Sequence, residues 1–138
     1  AWLAGFIDGE GHLSVHTSTE RKWFQASIGI RNTHKSTMGH IGVLLQDMHI
    51  AYAIREEDRG PRNKTSYWLN ITDMRNIQRF LEAIMPYLVT KRIQAELMYE
   101  YCLSRIQNAR SRAGYSERER EIQLLFTVIN RRGRIEGS

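Results

Sequence analysis

The chain holds one cysteine and two prolines in 138 residues. A single Cys102 excludes an internal disulfide framework, and its place between Tyr101 and Leu103 in a helical stretch suits a buried apolar filler better than a nucleophile. No apolar run reaches membrane length, and no signal-peptide pattern is visible. The five histidines fall into no recognisable zinc spacing. Acidic residues are in deficit: 15 Asp and Glu face 20 Lys and Arg, a formal charge of +5 that favours a polyanionic partner. Together these absences place the expectation in an intracellular, reducing compartment. The missing initial Met and the closing Gly137-Ser138 suggest a trimmed or processed chain, and neither end is interpreted functionally. The length fits one domain, 1–138, able to bury roughly two-thirds of its surface.

What is present is organised around the opening stretch AWLAGFIDGEG. Trp2, Leu3, Phe6 and Ile7 recur at helical spacing. Ala1, Gly5 and Gly9 lie four apart, with Ala4 and Asp8 beside them, a row of little bulk that lets another backbone approach closely. Two glycines cost so short a helix roughly 1 kcal/mol each, which points to close packing as their purpose, with the same helix of a second subunit as the natural partner. Glu10 stands between Gly9 and Gly11 at the carboxyl end, where the helix dipole disfavours a carboxylate. A bound metal ion would account for that placement. An exposed glutamate beside a C-capping glycine accounts for it equally.

Downstream, the hydrophobic period changes twice. His12, Ser14, His16 and Ser18 alternate with Leu13, Val15 and Thr17, and after a polar turn Phe24, Ala26, Ile28 and Ile30 alternate with Gln25, Ser27, Gly29 and Arg31. This is an antiparallel pair with one apolar and one polar face. Met38, Ile41, Leu44, Leu45 and Met48 predict a helix over 35–47, capped by Asn32 or Thr33. Strands over 50–57 and 67–71 flank the charged loop EDRGPRNKTS. Thr72 should cap a helix that stops at Pro86, a longer helix opens at Thr90 or Lys91, and Ser116 with Glu119 forms a capping box for the last one. The fold class is therefore α+β: a four-stranded antiparallel sheet with helices packed on one face. The polar face of such a sheet is most often merely solvated. Here His, Ser, Gln and Arg could also read base edges or phosphates, with Glu20 the one acid in that set.

LAGFIDGEG, residues 3–11, resembles the signature of the LAGLIDADG homing endonucleases, and the following elements keep that family's order. The resemblance implies signature helices packed across a two-fold axis, so residues 1–11 become the dimerisation helix, with Ala1, Ala4, Gly5, Asp8 and Gly9 at the interface. It implies that Glu10 and the Gly9 carbonyl hold a divalent metal, Mg²⁺ with Mn²⁺ able to substitute. Lys91 resembles the family's basic residue near the attacking water, and His34 its polar water-organising residue. The basic residue expected four positions on is replaced by Met38. Residues 12–71 become a DNA-reading sheet carrying Ser14, His16, Ser18, Glu20, Gln25, Ser27, Arg31 and Arg55, with loop cations Arg62 and Lys64 on phosphates. Residues 72–131 become supporting helices and 132–138 a disordered tail. The implied activity is homodimeric, metal-dependent cleavage of double-stranded DNA at a long, near-palindromic site. The rival readings are a non-cleaving DNA-binding regulator or RNA-splicing cofactor on the same fold, and a plain interaction domain with a basic surface.

Overall fold

The computed structural model describes residues 2–17, 23–58, 60–61, 65–108 and 114–136, with side chains to 131. Ala1, Ser18, Glu20, Arg62 and Lys64, named above, lie outside the described residues, as do 137–138. The element order is α1 (Trp2–Glu10), β1 (Gly11–Thr17), β2 (Phe24–Asn32), α2 (Lys35–Asp47), β3 (Ala53–Glu57), β4 (Ser66–Ile71), α3 (Met74–Ile84), α4 (Arg92–Gln107) and α5 (Glu117–Glu136). A 3-10 turn, Met85–Tyr87, carries Pro86 and links α3 to the segment before α4. The strands form one antiparallel sheet in the order β1-β2-β4-β3.

Alternation in the strands sorts the residues by face. Leu13, Val15, Ala26, Ile28, Ile30, Leu69 and Ile71 are buried against the helices. Ile41 and Leu45 from α2, Phe80 and Leu81 from α3, Met98 and Tyr101 from α4, and Ile122 and Phe126 from α5 close that core. Cys102 is buried within it, and desolvation pushes its thiol up to about 12, so it is a filler as expected. Met38 also lies in the core, 2 % exposed.

Several ends differ from the sequence expectation by a residue or more. α2 spans 35–47 as expected, but its N-cap is His34, whose Nδ1 accepts the Thr37 N–H at 3.2 Å. α3 is capped by Asp73, which accepts from Asn76 N–H at 3.1 Å, not by Thr72. β3 starts at Ala53 because Ile50 is core, its N–H returning to the Leu45 carbonyl, and His49 turns the chain with φ of 57°. The capping box forms as read: Ser116 Oγ accepts from Glu119 N–H at 3.1 Å and a Glu119 oxygen accepts from Ser116 N–H at 2.7 Å. α5 continues to Glu136, so 132–136 are helical in backbone where a tail was expected; one glycine, Gly133, weakens a helix by about 1 kcal/mol but does not end it.

β1 is an edge strand, and α5 runs beside it, with Asn130 Nδ2 donating to the Leu13 carbonyl at 3.4 Å. At the other end of β1, Gly11 turns the chain directly from α1 into the strand. A Cβ there would sit 2.8 Å from the Ile7 carbonyl oxygen, a backbone atom that cannot yield without moving the helix. Gly11→Ala is therefore expected to cost ~1–3 kcal/mol, the scale of overpacking, as a lowered midpoint in urea denaturation with an unchanged slope.

Candidate active site and nucleic-acid face

Four of the residues singled out in the sequence meet at the carboxyl end of α1. The backbone N–H groups of Val89 and Lys91 donate to the two oxygens of Asp8, at 2.7 and 2.9 Å. In return the Lys91 ammonium donates to the Asp8 carbonyl at 2.6 Å. These bonds tie the end of one helix to the start of another. Asp8 satisfies N–H groups at the mouth of α4, whose N-cap, Lys91, makes no side-chain capping bond of its own, and the lysine meets α1 at the negative end of its dipole.

Burial would raise the Asp8 pKa, but the N–H groups of Lys91, Val89 and Thr90 and the lysine charge outweigh it, so the carboxyl lies below its ordinary value of 3.8. Burial pushes the Lys91 ammonium below its ordinary 10.5, against the pull of Asp8 and Glu10. Of the two acids in the signature, only Glu10 is left over. It is exposed, and among the described residues nothing hydrogen-bonds or ion-pairs with its carboxylate.

The small-residue row divides. Ala4, expected at a dimer interface, is 1 % exposed and packs in the chain's own core with Leu3 and Ile7. Asp8 likewise spends its carboxylate within the chain. Gly5 and Gly9 are exposed, and a Cβ on either would meet nothing within 4 Å. Trp2 sits on the exposed side too, its ring tilted against Phe6 at 5.5 Å and edge-on to His40 at 5.2 Å. Val89 and Ile93, flanking Lys91, are 82 % and 71 % exposed.

His34 follows β2, and its capping role fixes its chemistry. Because Nδ1 accepts from Thr37, the neutral ring carries its proton on Nε2, which is left as a donor. Met38, where the resemblance expects a cation, is in the core and supplies none.

The outer face of the sheet collects the expected reading residues. His16 and Gln25 are exposed and paired across β1 and β2; Ser27 and Arg31 are half-buried; Arg55 is exposed on β3. Ser14 is 8 % exposed, with its hydroxyl 3.1 Å from His16 Nδ1 and 3.4 Å from Ser27 Oγ, so it orients its neighbours on that face. His12, Ser14 and His16 form one wall of a cavity of about 400 Å³ beside Thr127, Asn130 and Arg131 of α5, and that helix explains the burial. Two outward residues of β4, Trp68 and Asn70, were missed. The alternation of SYWLNI, which places them opposite Leu69 and Ile71, is the signal that marks them. Among the described residues, no three His, Cys, Asp or Glu side chains come together to hold a metal ion.

An αββαββα order with an open small-residue face on the first helix, ending in an exposed acid beside a half-buried lysine, defines a class of domain. A family model described as a LAGLIDADG-like domain matches residues 1–85, and the chain belongs to the LAGLIDADG family. Among solved structures it is similar to the homing endonuclease I-CvuI in complex with its target, with TM-score 0.65, 21 % identity, and coverage of 90 % of this chain and 79 % of that one. It is similar to the archaeal intron-encoded homing endonuclease I-Vdi141I complexed with DNA, with TM-score 0.62, 14 % identity and coverage of 91 % and 92 %. It is also similar to I-GzeII in complex with a DNA target, with TM-score 0.67 and 15 % identity, where it covers 88 % of itself but 41 % of the longer chain. At these identities the likeness is one of fold. No curated protein matches by sequence.

The Asp8 clasp carries a pH signature. A carboxyl whose folded pKa is lowered stabilises the fold above its unfolded value and loses that contribution as pH falls through the folded one. Asp8→Asn should lower stability at pH 7 by ~1 kcal/mol, the scale of a lost helix cap. The gap between parent and variant in urea denaturation should close as pH drops below 3.8.

Proposed function

We propose that the chain is a metal-dependent, site-specific double-strand DNA endonuclease that acts as a symmetric pair of domains. One observation carries the reading: Glu10 is held at the end of a helix whose glycine face is open, beside a basic sheet face, and among the described residues no hydrogen bond or ion pair takes up its carboxylate. Family membership and the DNA complexes of proteins with this fold support DNA as the partner.

The donor set fits Mg²⁺, or Mn²⁺ in its place, in one respect only. A hard cation of this kind takes one or two carboxylates together with phosphate oxygens and waters, and each chain offers one such carboxylate, Glu10, with the Gly9 carbonyl next to it. Two copies meeting along Gly5 and Gly9 would bring two. When bound, the metal would polarise a phosphoryl oxygen and make its water more acidic. The chain's own residues do the remainder. The Lys91 ammonium, fixed by the Asp8 carbonyl, offsets negative charge developing on the phosphate. The outer nitrogen of His34 donates to water near the strand end. Arg31, Arg55, Gln25 and His16 face the major groove, where arginine pairs with guanine and glutamine with adenine, and Arg62, Lys64, Ser18 and Glu20 are proposed as further DNA contacts. Ser27 is half-covered and lines the same face. An intracellular setting follows from the substrate.

A second reading, binding of DNA or RNA without cleavage, draws on Met38, which leaves the site short of one cation. Cleavage of a matched duplex separates the two. Glu10→Gln should slow cleavage at least about a hundredfold, the scale of a lost electrostatic contact in the transition state, while Kd for the same duplex changes by less than about threefold. Near-normal cleavage by this variant would remove Glu10 from the chemistry. Assembly is tested separately. Gly5→Leu places a four-carbon side chain on the open face, twice across a two-fold axis, at ~1–3 kcal/mol each. Sedimentation equilibrium should show the parent as a dimer at micromolar concentration and the variant shifted to monomer, with double-strand cleavage lost.

A further inference from the structure

The outer face of the sheet carries one lateral row of interlocked side chains. Arg31 on β2 pairs in register with Trp68 on β4, and Trp68 pairs with Arg55 on β3. The guanidinium carbons stand 4.8 and 6.0 Å from the indole centroid, within reach of cation–π attraction. Glu57, two residues beyond Arg55 on the same face, accepts the indole N–H of Trp68 at 2.7 Å and a guanidinium N–H of Arg31 at 3.4 Å, both on one oxygen. Arg31 and Glu57 are each about one-third exposed. Two cations beside one ring repel each other; a carboxylate tied to the ring and to one of them offsets that repulsion and fixes the indole plane. A guanidinium lying against a fixed aromatic face keeps its planar fork in one orientation, which is what bidentate contact with guanine requires.

We infer that Trp68 and Glu57 are specificity-determining positioning residues: they hold Arg31 and Arg55 as one paired guanine-reading unit for two neighbouring positions of each half-site. This rests on the DNA-reading function proposed above and adds to it two residues that touch no base themselves. The two arginines differ in restraint. Arg31 is held by the ring and the carboxylate, whereas Arg55 has the ring but, among the described residues, no ion pair. Loss of the ring should therefore affect both positions together, and loss of the carboxylate charge only one.

The test is selection of bound sequences from a duplex library randomised in the half-site, run with chelator so that binding alone is read. The parent should select guanine at two neighbouring positions. Trp68→Leu should weaken both preferences together by about tenfold, within the range of a lost bidentate contact, and Trp68→Phe, which keeps an aromatic face, should retain most of them. Glu57→Gln, which keeps an acceptor for the indole but not the charge, should weaken the preference beneath Arg31 about tenfold and spare the one beneath Arg55. A merely structural role would lower affinity for every sequence alike. That result, or a Trp68→Leu profile identical to the parent's, overturns the inference. If Trp68→Leu does not fold, Trp68→Phe and Glu57→Gln decide it, because a Glu57→Gln profile unchanged at both positions overturns it equally. A parent that selects no sequence at all overturns the DNA-reading function and this inference with it. A parent with a clear profile that the variants leave untouched overturns this inference alone.

Discussion

The reciprocal clasp between Asp8 and Lys91 is the constraint on which the active end of the domain depends. Residues 83 apart in sequence exchange a carboxylate for backbone N–H groups and an ammonium for a backbone carbonyl. Each partner repairs a deficiency of the other's helix: α4 lacks a side-chain cap, and α1 ends on unsatisfied carbonyls. The consequence for chemistry is division of labour between two acids two positions apart. Asp8 is consumed in building the site, and Glu10 keeps a carboxylate that, among the described residues, makes no hydrogen bond or ion pair. The clasp also delivers Lys91 next to Glu10, partly withdrawn from water, so the lysine's position is inherited from a structural bond and needs no separate device.

The same economy is visible on the sheet. Burial of one face fixes which residues face out, so the hydrophobic pattern that folds the domain also selects the surface it offers. Where a neighbouring element intrudes, the selection changes. Ser14 has the right parity to face outward, yet α5 covers that edge and turns its hydroxyl into a support for His16 and Ser27. Ala4 has the small side chain of a close contact, but the close contact is with its own core.

Much of this was legible from residue order. The element types, the α+β class, the bounds of α2 and the capping box at Ser116 and Glu119 follow from local periodicity and short-range chemistry. The misses have local causes as well. Ile50 looked like strand because an apolar residue in a loop that plugs the core carries the same signal as one in a sheet. His34 was not read as a cap because imidazole is seldom used so, although Nδ1 accepts an N–H as a carboxylate oxygen does. What no local pattern could supply was pairing at long range. The bond from Asp8 to the segment before α4, the cover of α5 over β1, and the meeting of Arg31, Trp68 and Arg55 all depend on topology, and strand order β1-β2-β4-β3 decides the last of these.

That strand order also sets a ruler. A strand advances about 3.3 Å per residue, and duplex DNA about 3.4 Å per base pair. The nine residues of β2 thus span about 30 Å, close to nine base-pair steps. Side chains face outward only at every second residue, so along one strand successive contacts fall about two base pairs apart. Two adjacent strands out of phase would be needed to sample each step, and the Arg31–Trp68–Arg55 row, where neighbouring strands are in phase, gathers its contacts on neighbouring positions instead of spreading them. A sheet of this design would therefore weigh some positions of its half-site heavily and tolerate changes at others, a graded reading set by pleat geometry before any side chain is chosen.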